Sequence, residues 1–240
     1  MNADARDATT ELHVLCAGAA KGLVEALAPA FHAATGATLR GEFGAVGTIR
    51  ERWLAGARCD VIILTDAMLH AMAREGHVDA AIVAPLGRVR TGVAVRAGES
   101  LPDIGDREAL RRTLLAAAGL YLPDTERSTA GMHCIEVLRA LGIHDDVMAR
   151  VRAFPNGATA MGELAQAREP GCIGCTQITE IRYTPGVALV GPLPAEFELA
   201  TVYSAAVATA AQAPGAALQF VQLLTAPASR ELRRSGGFEA

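Results

Sequence analysis

Aromatic side chains are scarce in this sequence, since Phe, Trp and Tyr together make up 4% of its 240 residues. No stretch reaches the ~18 consecutive apolar residues that a membrane-spanning helix needs, so we predict no membrane span. Basic residues do not outnumber acidic ones, because the formal net charge is −4, and no basic run is interleaved with aromatics. Nucleic acid is therefore not an expected partner.

A signal sequence is also missing from the residues as written. The segment Met1–Thr10 is polar and lacks the apolar core of a secretory signal peptide. We therefore expect a cytoplasmic protein, or a periplasmic one if a signal has been removed. The sequence contains no internal repeat and no low-complexity linker.

The cysteines of the sequence do not form a recognisable disulfide or zinc-binding pattern. The five cysteines are scattered, and an odd set of this kind is a poor basis for disulfides. Cys172 and Cys175 form one C-x-x-C motif, which is weak evidence for zinc without a second pair. We predict buried free thiols, no disulfide, no bound metal and no cofactor.

The sequence is rich in alternating strand and helix patterns. Its hydrophobic fraction of 51% over 240 residues is enough for one large domain or two small lobes. Apolar periodicity predicts a β-α-β-α-β-α order in the first third, with strands at 12–16, 39–43 and 61–64 and helices at 22–35, 48–54 and 66–75. This order implies a parallel sheet with helices on both faces.

The remainder continues the alternation. We predict strands at 89–95, 120–122, 171–175, 187–190 and 200–208, and helices at 106–118, 129–141, 158–167, 214–224 and 228–235. Two halves of this kind predict two α/β lobes, with the cleft between them as the default ligand site.

Several segments, in order along nearly the whole chain, resemble the periplasmic molybdate-binding proteins, which have the type II solute-binding fold. The segments are VLCAGAAKGLV (14–24), FGAVGTIRERWLAGARCDVIILTD (43–66), STAGMHCIEVLRALGI (128–143), GCIGCTQITE (171–180) and QFVQLLTAPASRELRRSGGF (219–238). The resemblance implies two lobes, each a mostly parallel sheet flanked by helices. Lobe 1 is expected over 1–86 with 203–240 returning to it, and lobe 2 over 87–202, with the ligand at helix N-termini facing the cleft.

The sequence departs from that family at the anion site. In molybdate binders, hydroxyls from the first two turns and a tyrosine from the late turn hold the oxyanion together with backbone N–H groups. The aligned positions here are Ala19, Val46 and Gln177. Each missing hydrogen bond to a buried anion costs about 1–3 kcal/mol, so molybdate or tungstate binding for ABC transport is the second alternative only.

Other groups near the same turns suit a ligand with separated charges. Lys21 and Arg50 add cations near two helix starts, and Thr48, Ser128 and Thr129 offer hydroxyls. A di- or tricarboxylate can pair each carboxylate with its own donor. The other predicted ligand-binding residues are Ala20, Gly47, Ala130, Asn156, Thr159 and Thr176.

Each of these side chains also has a structural interpretation. Lys21 can be a solvated residue at the lobe edge, and Arg50 can lie on an exposed face beside Glu51 and Arg52. Asn156 and Thr159 can cap a helix. These alternatives remain open at the level of sequence.

The first hypothesis for function is binding of a small organic di- or tricarboxylate in the cleft, with an ABC transporter as a partner only if the protein is exported. The alternative is an isomerase, because a family of aconitate isomerases resembles the molybdate-binding proteins. Such a reaction needs a carboxylate clamp and a base that removes and returns a carbon-bound proton. Lys21, His133 and Glu180 are the candidate catalytic residues.

Overall fold

The structure is a computed structural model that describes residues 10–240. The expectation about a signal in Met1–Thr10 therefore falls, apart from Thr10, outside the described residues. The first third has the predicted β-α-β-α-β-α order. Its elements are β1 (Glu11–Ala17), α1 (Lys21–Thr35), β2 (Thr38–Gly44), α2 (Val46–Leu54), β3 (Val61–Thr65) and α3 (Asp66–Arg74), with a 3-10 turn at Gly18–Ala20 before α1.

The chain then crosses through a long strand into a second group of elements and returns. The elements are β4 (Ala84–Arg96), α4 (Arg107–Ala116), β5 (Leu120–Pro123), α5 (Thr129–Ala140), α6 (His144–Val147), β6 (Val151–Phe154), α7 (Gly157–Ala165), β7 (Ile173–Gln177), α8 (Ile178–Tyr183), β8 (Val187–Pro192), β9 (Ala200–Val207), α9 (Pro214–Thr225) and α10 (Arg230–Gly236). Further 3-10 turns lie at Ala80–Ile82, Met148–Arg150, Ala195–Phe197 and Pro227–Ser229.

The strands follow the order β2-β1-β3-β9-β4-β7-β5-β6, and β8 also pairs with β4. The outer pairs β1–β2, β1–β3, β5–β6 and β5–β7 are parallel, as the β-α alternation predicts. Strands β4 and β9 pair antiparallel with all their neighbours. The predicted α/β class with flanking helices is confirmed, and the antiparallel pairs are confined to the crossing strands β9 and β4 in the middle of the strand order and to β8, which pairs with β4.

Apolar side chains gather on both sides of the crossing. One core joins β1, β3 and α1 to β9 and α9, and its largest buried residues include Phe31, Phe220 and Tyr203. Two further clusters pack on opposite faces of the β4–β7–β5 sheet. We call the elements of the first core lobe 1 and those of the other two lobe 2. The boundaries proposed at 86/87 and 202/203 stay predictions.

Three short elements were not predicted from the sequence. They are helix α6 and strand β6, each four residues long, and helix α8, which is six residues long. Helix α8 (ITEIRY) contains β-branched residues and has no side-chain cap, so its local signal is weak. Within 10–240, no helix has the length and apolar character to cross a bilayer.

Candidate functional site

Five helices begin where the elements of lobe 1 and lobe 2 approach each other. Helices α1, α2 and α8 begin without a side-chain cap, so their first N–H groups have no side-chain acceptor at the cap. Helix α5 is capped by Ser128, whose hydroxyl faces the Gly131 N–H at 3.4 Å. Helix α7 is capped by Asn156, which accepts from the Thr159 N–H at 2.9 Å. Helix N-termini are natural anion sites because N–H groups and the helix dipole both favour negative charge.

A buried carboxylate lies between the turn before α1 and the start of α7. Glu180, on α8, is 5% exposed, and its Oε2 accepts a hydrogen bond from the Thr176 hydroxyl at 2.6 Å. Burial raises the pKa of Glu180, whereas hydrogen bonds from Thr176 and from the N–H groups of Ala158, Gln177 and Gly157 oppose that rise. An internal carboxylate therefore uses the amide groups at the start of α7 that a bound anion would otherwise use.

Two glycines allow this close approach, one from each lobe. A Cβ built at Gly18, in the turn before α1, would overlap Glu180 Oε1. A Cβ built at Gly157, the first residue of α7, would overlap both Glu180 Oε2 and the Thr176 hydroxyl. Neither glycine has a positive φ. The requirement is therefore steric, and Glu180 lies between Gly18 of lobe 1 and Gly157 of lobe 2.

Gln177 and Tyr203 continue the buried polar region. Gln177 is 2% exposed, and neither polar atom of its amide has a hydrogen-bond partner of good geometry within the described residues. Burial raises the pKa of Tyr203, with Glu180 adding to the rise, while the Thr129 and Gln177 side chains lower it. The Tyr203 hydroxyl therefore lies close to both, although no well-formed bond to Gln177 results. Buried amides without partners are rare and indicate a place for a ligand or water.

Lys21, the first residue of α1, is the one lysine of the whole sequence. Its Nζ lies 3.8 Å from Glu25 Oε1 and 5.5 Å from the ring centres of both Phe43 and Tyr183. The Tyr183 hydroxyl in turn contacts Glu25, which raises the pKa of Tyr183 to about 12. Lys21 is thus held at the interface of the lobes, with its side chain 30% exposed.

A cavity of about 350 Å³ opens beside Lys21 and Phe43 on one side and the start of α7 on the other. Gly18, Asn156, Ala158, Thr159, Tyr183, Thr184 and Pro185 complete its lining. This volume lies in the range of small-molecule sites. Because Gly18 and Ala158 line the cavity and also approach Glu180, the carboxylate lies directly behind its wall.

A larger groove, of about 1060 Å³, lies between β4, α8 and the C-terminal residues. Two of the five arginines that line it have acidic partners, since Arg90 pairs with Glu239 at 2.6 Å and Arg234 with Glu231 at 3.0 Å. The groove contains no buried unpaired polar side chain among the described residues. The smaller cavity is the better candidate because Gly18 and Ala158, which line it, also approach the buried Glu180 carboxylate.

The second predicted turn meets lobe 2 through its backbone. The Gly47 N–H donates to the Arg127 carbonyl at 3.0 Å, and the Arg127 side chain reaches Glu51 at 3.2 Å. Val46 is buried, Thr48 is half-buried and Arg50 is exposed. The cation that crosses between the lobes here is therefore Arg127, which the sequence did not single out.

The remaining predicted residues fall into two groups, namely buried residues at helix starts or on β7, and His133, which lies inside α5. Ala19, Ala20, Ala130 and Thr176 are buried at helix starts or at the end of β7. His133 lies one turn into α5, where its Nε2 is 2.8 Å from the Phe197 carbonyl and its Nδ1 is 4.0 Å from Glu136. These contacts give His133 a structural role within lobe 2, and none of its recorded contacts within 10–240 involves Lys21 or Glu180.

The structure also identifies side chains that the sequence pattern did not emphasise. Phe43, Tyr203, Gly18 and Gly157 all contact the site. Small residues before helix starts were a usable signal for the two glycines. All five cysteines are free, and the described residues contain no group of three or more potential metal ligands.

Comparison with known proteins agrees with this architecture. The model of the family described as bacterial extracellular solute-binding protein matches residues 12–239. An aconitate isomerase from a Pseudomonas species is 28% identical over 236 residues, which cover 95% of this chain and 87% of that protein.

Two solved structures illustrate the fold. The periplasmic molybdate-binding protein of Azotobacter vinelandii superposes with a TM-score of 0.78 at 18% identity, covering 95% of this chain and 99% of that one. A sulfate-binding protein of Mycobacterium tuberculosis gives 0.73 at 19% identity, covering 95% and 86%. Because the family model spans nearly all the described residues, the chain belongs to the bacterial extracellular solute-binding proteins.

Proposed function

We propose that this protein binds a small organic di- or tricarboxylate in the cleft beside Lys21 and Glu180. The observation that carries the proposal is the buried Glu180 carboxylate at the start of α7. A tetrahedral inorganic dianion bound at those amides would face a second negative charge in a dry environment, where like charges repel strongly. An extended ligand avoids that contact because its charges are separated.

The surrounding donors match such a ligand. Lys21 supplies one ammonium beside the 350 Å³ cavity, and Gln177 supplies a buried amide without partners within the described residues. The uncapped start of α1, where Lys21 lies, adds backbone N–H groups. Each carboxylate of the ligand can therefore meet a different donor, as charge-assisted hydrogen bonds require.

Binding is tested by calorimetric titration of the protein with citrate, aconitate, molybdate and sulfate. We expect heat from the carboxylates and none from the inorganic anions. Lys21→Met should weaken carboxylate binding about tenfold or more, since loss of one partner of a partly buried charge pair costs roughly 2–5 kcal/mol before solvent screening. Arg40→Met is the matched control, because Arg40 is an exposed cation of the same lobe.

Tight molybdate binding without carboxylate heat would refute the proposal. Equal affinity of wild type and Lys21→Met would remove Lys21 from the site while leaving the ligand class intact. These two results are separable because the first concerns the ligand and the second one side chain.

A second candidate function is isomerisation of an unsaturated tricarboxylate such as aconitate. A specific observation favours it: Glu180 is a buried carboxylate whose pKa is raised by that burial, and a base with a raised pKa is better matched to neutral pH. The 28% identical relative is named as an aconitate isomerase.

The isomerisation needs a general base and a cation that stabilises the substrate carboxylate. Glu180 removes a proton from the CH₂ carbon of the substrate, and the freed electron pair forms a new C=C bond to the central carbon while the former π pair shifts to the far alkene carbon and its conjugated carboxylate. Returning the proton to the far alkene carbon shifts the double bond, so atoms and charge balance without an oxidant. The Lys21 ammonium stabilises the additional negative charge on the carboxylate during the step.

Catalysis is tested by following cis- and trans-aconitate by chromatography and by proton exchange in D₂O. Wild type should interconvert the isomers and incorporate deuterium, and Glu180→Gln should lose both while still binding citrate. Binding of aconitate with neither exchange nor interconversion in wild type would leave a passive receptor and refute the isomerase.

A further inference from the structure

Two buried cysteines from distant parts of the chain meet in lobe 2. Cys134 lies on α5 and Cys175 on β7, 41 positions apart in sequence. Their sulfur atoms are 2.6 Å apart, roughly half an ångström longer than a disulfide bond of about 2.05 Å. This separation is inside the normal contact distance of two sulfur atoms, so a small shift is enough to join them.

The surroundings of this pair are apolar and nearly closed. The two residues are 4% and 6% exposed, and they share a hydrophobic cluster with Leu110, Leu138 and Ile173. A void of about 20 Å³ borders both residues.

The other three thiols are held elsewhere. The Cys16 and Cys59 thiols each contact a backbone carbonyl at 3.1 Å in lobe 1. Cys172 belongs to a different cluster from Cys175, because residues three apart at a strand point to opposite faces of the sheet. The C-x-x-C motif is therefore not a spatial pair, and Cys134 is the thiol that Cys175 meets.

We propose that Cys134 and Cys175 form a redox-active dithiol that oxidises to a disulfide joining α5 to β7. A thiolate of the pair attacks a small-molecule disulfide such as oxidised glutathione, forms a mixed disulfide and releases one glutathione thiolate. The second thiolate then attacks the protein sulfur of the mixed disulfide and releases the second glutathione thiolate. Both leaving thiolates take up the protons lost by the cysteines, so the pair is oxidised by two electrons and the glutathione disulfide is reduced by two.

The folded environment controls when this exchange occurs. The neighbouring Cys175 thiol and burial both raise the pKa of Cys134 well above its ordinary value, so the reactive thiolate is rare in the native state. Oxidation should therefore be slow in the folded protein and faster during refolding, before α5 covers β7. An oxidising environment favours the disulfide between Cys134 and Cys175, and a reducing environment keeps both residues as thiols.

A disulfide between Cys134 and Cys175 would stabilise the segments next to the ligand site. Cys175 directly precedes Thr176 and Gln177 on β7, and α5 begins at Thr129, which lies beside Tyr203. A disulfide between residues 41 positions apart stabilises the native state by restricting the unfolded chain. For a chain of 240 residues, we expect the Tm to rise by about 5–15 °C on oxidation.

The test uses the full chain, refolded either in oxidised glutathione or in a reducing buffer. Each sample is then denatured in acid, alkylated, and weighed by intact mass spectrometry. We expect three of the five cysteines to be alkylated in the oxidised sample and all five in the reduced one, with peptide mapping joining Cys134 to Cys175. The Tm difference between the two samples should vanish in Cys134→Ala and persist in the matched control Cys59→Ala.

Two results would overturn the inference. One is alkylation of all five cysteines after refolding in oxidised glutathione, and the other is a cross-link between a different pair. Because thiol counting is made on the wild-type protein, the inference stays testable even if Cys134→Ala fails to fold.

Discussion

Replacing Gly157 by Ala tests whether the buried carboxylate of Glu180 depends on a glycine at the start of α7. An added Cβ would overlap both Glu180 Oε2 and the Thr176 hydroxyl, and both side chains are buried. Neither partner can move into solvent without breaking the hydrogen bond of 2.6 Å that joins them. The substitution should therefore act as overpacking.

The expected magnitude follows from that steric conflict. Overpacking of a buried site typically costs about 1–3 kcal/mol. For a domain of this size, each kcal/mol lowers the Tm by about 2–4 °C, so Gly157→Ala should lower it by about 2–12 °C. Carboxylate affinity should fall as well, because Glu180 and the first amides of α7 are displaced.

The same helix supplies the control. A Cβ at Gly162 meets no atom within 4 Å, and Gly162 lies inside α7. Gly162→Ala should therefore raise stability by about 0.5–1 kcal/mol, since alanine is the better helix former. Differential scanning calorimetry and citrate titration of the two variants make a matched comparison.

Gly18→Ala tests whether the contact of Glu180 with lobe 1 affects ligand affinity more than it affects the stability of the fold. Its Cβ would meet the same carboxylate, but from lobe 1. We expect a small loss of stability together with a clear loss of carboxylate affinity, because the lobes can relax apart without unfolding. A Gly157→Ala variant with wild-type Tm and wild-type affinity would refute the close confinement of Glu180.

Three further predictions concern single side chains. The pKa of Glu180 is raised by burial in the folded state, so the native protein binds more protons than the unfolded chain from about pH 4.3 up to the raised value. The wild type should therefore lose stability relative to Glu180→Gln as pH rises through that window, measured as the difference in Tm; a constant difference would contradict this. Asn156→Ala should cost about 0.5–2 kcal/mol by loss of the α7 cap, seen in urea unfolding, and no change would contradict it. His133→Gln should leave citrate affinity within about twofold, because the ring contacts the Phe197 carbonyl; a large loss of affinity would return His133 to the site.

Much of the fold was predictable from local pattern. The apolar periodicity predicted β1 to α3 in order, because each strand and helix there carries its own repeat of 2 or 3.6 residues. The caps of α5 and α7 were also predictable, since Ser128 and Asn156 stand immediately before helical patterns.

The centre of the site was decided by tertiary structure. Glu180 was a candidate from sequence, but its position between Gly18 and Gly157 depends on α8, a six-residue helix without a cap. Such a helix is stabilised by packing rather than by propensity, so no local pattern predicts it.

Contacts between distant segments were equally beyond local pattern. Lys21 meets Tyr183 and Phe43, and Cys134 meets Cys175 instead of the C-x-x-C partner that the sequence suggests. The sequence alone determined most of the strands and longer helices, because their apolar repeats of 2 or 3.6 residues are local, whereas the short helix α8 depends on packing. Which side chains share a site depends on the order of strands in the sheet, and the tertiary structure alone decided that.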